Sequence, residues 1–114
     1  VMATLKRIIL EMGTGTDLHG QDYTKAAIRA VQDALRHSSL ALFGSLNIDP
    51  ATMQVDLRLA AQEPEKIDLS AVSATFPHGS VTPVAVKGGL NVPDADGKDA
   101  AVIVNAGIIV RIPL

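Results

Sequence analysis

Residues Gly13-Thr14-Gly15-Thr16-Asp17-Leu18-His19-Gly20 set three glycines, a carboxylate and an imidazole between an apolar alternating stretch and the start of a helical pattern. Asp17 and His19 are two apart, so in an extended segment both side chains point to one side, where they can share a divalent metal. They can equally serve as a general acid/base pair, because histidine titrates near neutral pH. A catalytic metal usually takes about three protein ligands. Glu11, Glu63 or a residue of a neighbouring subunit can supply the third. His37 lies some 25 Å further along a helix at ~1.5 Å per residue, and His78 precedes a strand that starts at the opposite sheet edge.

The same segment has two further readings. Gly13, Gly15 and Gly20, with Thr14 and Thr16, can offer backbone N–H groups beside a helix N-terminus to a phosphate or carboxylate. Lys87-Gly88-Gly89 ends a later strand pattern, so in a parallel sheet Lys87 becomes an anion contact and Gly88 part of the same pocket. Alternatively, Asp17 is an Asx-turn or helix-entry cap and His19 a hydrogen-bonded loop residue. The third glycine is misplaced for a dinucleotide fingerprint, and a P-loop needs Gly-Lys-Ser/Thr.

The elements that must position these residues follow from periodicity. Lys6 to Met12 alternates as a first strand, with Ile8, Leu10 and Met12 on one face and Arg7, Ile9 and Glu11 on the other. From Asp22, a plausible N-cap, the period becomes helical through Ala27, Ile28, Val31, Ala34 and Leu35. Ser38-Ser39 loosens this helix and Gly44 ends its apolar tail of Leu40, Leu42 and Phe43. Met53 to Ala60 is a second strand with Met53, Val55, Leu57 and Leu59 inward. Pro64 breaks it, and Asp68 caps a short helix anchored by Leu69 and Val72. Val81 to Val86 is a third strand, which Pro83 demotes to an edge or bulge, and Ala101 to Ile112 is a fourth. Gly88-Gly89 and Pro93 to Gly97 form the polar connection between them.

The order is βαβαββ. Helical crossovers favour parallel pairing of the first three strands, and the last two can form an antiparallel hairpin. This predicts a two-layer α+β domain with a mixed sheet and both helices on one face. The other face then carries Ile9, Ile103 and Ile109 beside Arg7, Asp56, Arg58 and Arg111, which suits a subunit interface and predicts a homo-oligomer, dimer or trimer.

Composition narrows the function. The 114 residues, read here as a single domain 1–114, hold 47% apolar but only 3% aromatic residues, so the core is aliphatic. Absence of cysteine removes disulfides, thiolate nucleophiles and Cys-based metal sites, and permits a cytoplasmic location. A net charge of -2 with few aromatic residues disfavours nucleic acid. No apolar run reaches the ~20 residues of a membrane span, and Glu11 interrupts any signal-peptide layout.

With Gly13, Gly15, Asp17, His19 and Gly20 in place, the chain resembles an uncharacterised conserved family of short bacterial proteins, also found at the end of longer plant proteins, marked by G-x-G-x-D-x-H-G. The flanks Lys6 to Met12 and Gln21 to Ala27 match as well. The resemblance spans the chain and brings no activity with it. The βαβαββ order also resembles the chorismate-mutase-like architecture, whose members commonly form trimers with ligand sites between subunits. A shorter likeness is to methylerythritol cyclodiphosphate synthase, where a Gly-x-Asp-x-His segment binds a divalent metal. Gly15, Asp17 and His19 match that spacing, but no histidine on the following helix completes the set. These readings give a small oligomeric enzyme, metal-assisted or not, acting on a polar or anionic metabolite through His19 and Asp17. A non-catalytic oligomeric metabolite-binding module is the alternative.

Overall fold

The computed structural model describes residues 4–36 and 47–113. His37, Ser38, Ser39, Leu40, Leu42, Phe43 and Gly44 lie outside the described residues. Strand β1 (Leu5–Asp17) leads to helix α1 (Tyr23–Arg36), then β2 (Gln54–Ala61), the short helix α2 (Leu69–Ser73), β3 (Ser80–Lys87), β4 (Leu90–Pro93) and β5 (Ala100–Pro113). Single 3-10 turns sit at Pro50–Thr52 and Pro64–Lys66. The fold is α+β, a mixed sheet with two helices.

The strands are ordered β1-β5-β2-β3, with β4 also paired to β5. β5 runs antiparallel to β1, β2 and β4, whereas β2 and β3 are parallel. The expected hairpin between the third and last strands does not form. β5 instead enters the middle of the sheet, because its row Val102, Val104, Ala106, Ile108, Val110 and Ile112 is wholly buried and needs neighbours on both sides. β3 keeps one partner and is an edge strand, which tolerates Pro83.

The supposed polar connection holds the extra strand β4. Gly88 donates its N–H to Ala61 O, and Gly89, at φ +63°, carries the chain over the end of β2 to the flank of β5. A Cβ on Gly89 would overlap Ile103 O and lie 2.9 Å from Ala60 O, so only glycine allows this crossing.

Where the residues of β1 face is decided by a bulge. Arg7 pairs with Arg111 but Ile9 pairs with Val110, so Ile8 is the extra residue and every later side chain changes face. Ile9 is therefore in the core, against the expectation of an outward Ile9, while Leu10 and Met12 are exposed on the helix-free face. β1 also runs five residues further than its alternation suggested: each residue from Gly13 to Asp17 has a register partner on β5.

α1 lies on the face that the bulge creates. Its buried stripe is mostly alanine, Ala26, Ala27, Ala30 and Ala34 with Val31, and it meets Gly13 and Gly15 of β1. Asp22 caps it by accepting the Lys25 N–H at 3.0 Å, and Asp68 caps α2 by accepting that of Ala71. Val72 of α2, the inward side chains of β2 and the even row of β5 complete one core with α1. On the free edge of β1, Asp33 accepts the Thr14 N–H and Arg29 donates to Thr16 O, so α1 covers two of the edge's backbone groups.

Candidate functional site

The glycine-rich segment is split between strand and turn. A Cβ on Gly13 would overlap Ala30 O and lie 2.5 Å from Ala34 N, and one on Gly15 would overlap Ala26 O and Ala30 N. These two glycines are where a helix backbone touches a strand. Both sit inside β1 and under α1, so the geometry gives them a packing role at a distance from any helix N-terminus. Thr14 and Thr16 point to the opposite face, and the Thr14 hydroxyl accepts from Asn105 Nδ2 at 3.2 Å.

Asp17 ends β1 with only 4% of its surface exposed. Its carboxylate accepts the Asp22 N–H at 2.9 Å and lies 3.6 Å from the Arg29 guanidinium. This closes the turn that leads into α1, the helix-entry alternative read from the sequence. His19 goes the other way: its side chain is 84% exposed, with Nδ1 3.8 Å from Asp99. The segment is no longer extended there, since Gly20 and Gln21 adopt φ +93° and +51°. The two-residue spacing therefore does not bring Asp17 and His19 to one side. Among the described residues, no group of three or more His, Asp or Glu side chains can hold a metal.

Asp99, just before β5, organises the turn. It accepts the Gly20 N–H at 3.1 Å and the Ala100 N–H at 2.8 Å. The Ala100 bond first, then those from Gly20 and Gln21 with the nearby His19, hold its carboxyl below the usual aspartate range.

Lys87 does not join this turn. β2 and β5 lie between its strand and β1, about three strand spacings or roughly 14 Å. Gly88 is engaged by Gln62, whose Nε2 donates to Gly88 O at 2.9 Å. Glu11 and His78 are near each other at the opposite end of the sheet, around a small apolar cavity with Phe76 and Leu35.

The C-terminal strand ends do gather a polar cluster that the sequence did not suggest. The Tyr23 hydroxyl, nearly fully buried at the start of α1, donates to Glu63 Oε2 at 3.0 Å and accepts from Asn91 Nδ2 at 2.7 Å. Glu63 also pairs with Lys66 at 3.1 Å. Burial, with further upward contributions from Glu63, outweighs the Asn91 hydrogen bond and pushes the Tyr23 hydroxyl up. The Lys66 and Tyr23 hydrogen bonds draw the Glu63 carboxyl down, and Glu63 in turn raises Lys66.

The donor order fixes the amide. Tyr23 spends its one proton on Glu63, so its lone pair requires the NH2 of Asn91, which leaves Asn91 Oδ1 facing away. That oxygen is buried without a protein partner. Tyr23, Glu63 and Asn91 stand 28 to 68 positions apart in the chain, so no local motif announces them.

A family model for conserved hypothetical proteins, Lin0512_fam, matches residues 7–110, which include β1, the turn and most of β5. The chain belongs to this family. Its fold is also that of a crystallised FtsZ-like protein of unknown function from Nostoc punctiforme, with 33% identity, full coverage of both chains and a TM-score of 0.84. No curated protein matches. Family and structural neighbour are alike of unknown function, so the Lin0512_fam chain has to be read from its own geometry.

Proposed function

We propose that this Lin0512_fam protein is a cytoplasmic metabolite-binding module. Its ligand sits at the C-terminal strand ends, beside Tyr23, Glu63 and Asn91 and the exposed His19. The observation that carries the reading is the buried, unpartnered Asn91 Oδ1. An unsatisfied buried acceptor costs about 1–3 kcal/mol, which a ligand N–H or O–H recovers. Strand ends followed by helix N-termini are also where α/β sheets collect ligands.

The local charge selects the ligand. Asp22, Glu63 and Asp99 surround the position, against Lys66. A small polar molecule that is neutral or cationic and rich in donors fits better than an anion. The binding module is favoured over the enzyme because Asp17 is already committed to Asp22 and Arg29, leaving His19 without it as a partner. We read the G-x-G-x-D-x-H-G pattern as the family's signature for one helix-on-strand contact and one turn, since Gly13, Gly15, Asp17 and Gly20 each hold a structural contact. The βαβαββ core of chorismate-mutase-like proteins is supported by the central antiparallel β5 with β4 as an addition.

A thermal-shift screen of neutral, cationic and anionic metabolites tests the reading. The expected hit is a neutral or cationic donor that raises the melting temperature of the wild type and no longer does so in Asn91→Ala. Conversion of the hit to product would favour the enzyme, and hits confined to anions would overturn the proposed site.

A further inference from the structure

The helix-free face of the sheet is apolar where a solvated face would alternate to polar residues. Met12 is 67% exposed, and Leu10, Val84 and Val86 are each about half exposed, with Ile103 and Ile109 half-buried between them. The outward charges of Asp56 and Arg111 are already paired with each other.

The middle of this face is a dip over Gly107. Glycine weakens the interior of a strand, and there it marks a bulge, a bend or the close approach of another group. No bulge occurs at Gly107, which is in register with Met12 on one side and Arg58 on the other. Its φ is not in the left-handed region, and a Cβ built on it would meet nothing within 4 Å. Nothing within the chain therefore requires glycine. What the missing side chain leaves is a cavity of about 280 Å³ lined by Leu10, Met12, Arg58, Val86 and Ile109.

We propose that this face is a self-association surface, in which Met12 of each copy enters the dip over Gly107 of the other. A knob and a hole side by side on one face can be exchanged reciprocally by two copies, which is the condition for an isologous two-fold contact. Met12 has the length and flexibility to fill the dip. The strand lengths give the face roughly 750 Å² at ~3.4 Å per residue and ~4.8 Å per strand, close to the ~800 Å² per partner of a stable interface. The paired Asp56 and Arg111 add no unbalanced charge, and Arg58 can carry its head to the rim on its apolar stem. This surface is separate from the C-terminal strand ends, and the proposal stands whether or not a ligand binds there.

The test is the mass of the full chain in solution by light scattering and sedimentation equilibrium, from micromolar to about 100 µM. The expected wild type is a multiple of the 11.9 kDa chain. Gly107→Arg fills the dip without a clash inside the chain, and it should weaken association at least about tenfold while the circular dichroism spectrum is unchanged. Met12→Asp, at the knob, should do the same and serves if Gly107→Arg does not fold. A wild type that is monomeric throughout overturns the proposal and leaves the face for a different protein or a lipid surface. Assembly undiminished in the folded variants overturns it as well.

Discussion

Gly13 and Gly15 on one face of the sheet and Gly107 on the other are glycines in strands for opposite reasons. The first two are pressed against α1 backbone, where a single added carbon would overlap carbonyl oxygens. Gly107 has open space above it. One absence of side chain is required by the fold, and the other is free for something outside the chain. A glycine's meaning thus depends on what stands over it, and the pattern read first as a ligand loop is largely a packing seam.

The sharpest way to break this comparison is Gly15→Ala. Its Cβ can be accommodated only by lifting α1 from β1, and urea unfolding should show a loss of about 3 kcal/mol or more, with Gly13→Ala nearly as damaging. A change under about 1 kcal/mol would mean that the helix moves freely and that the seam is not the reason for the glycines. Next comes Asp17→Ala, which leaves the Asp22 N–H without its acceptor and Arg29 without its counter-charge. The expected cost is about 2 kcal/mol by the same measurement, with Asp17→Asn losing less.

The turn on the far side of Asp17 responds to acid. Asp99 is held below its ordinary value chiefly by the Ala100 N–H, so the unfolded chain takes up its proton first as the pH falls. Its stabilisation is complete above about pH 4 and is lost as the pH drops through the folded value. Asp99→Asn should make the acid limb of a stability–pH curve shallower, leaving the part due to Glu63, which is lowered by Lys66 and Tyr23. An unchanged limb would place the acid sensitivity elsewhere.

The smallest effect belongs to Gly107→Ala. In the Met12→Asp background, where the face should be unpartnered, it is expected to be neutral or to stabilise by about 0.5 kcal/mol, because alanine restricts only the unfolded chain. A loss comparable to that of Gly15→Ala would erase the distinction between the two faces.

The sequence by itself determined what local period and local capping can determine. The alternation of Met53 to Leu59 and of Val102 to Ile112 fixed which side chains are buried, since burial of one face tolerates no slip. Asp22 and Asp68 marked two helix starts because a side-chain acceptor one turn ahead is a local event. Tertiary structure decided the rest. One bulge at Ile8 turned Ile9 inward and Leu10 and Met12 outward, and that extra residue exists only in the register between β1 and β5. The same long pairing with β5 drew Gly13 to Asp17 into the strand, parting Asp17 from His19. Tyr23, Glu63 and Asn91 met because α1, β2 and β4 end at one edge of the sheet, a proximity set by topology and carried by no neighbouring residues in the chain.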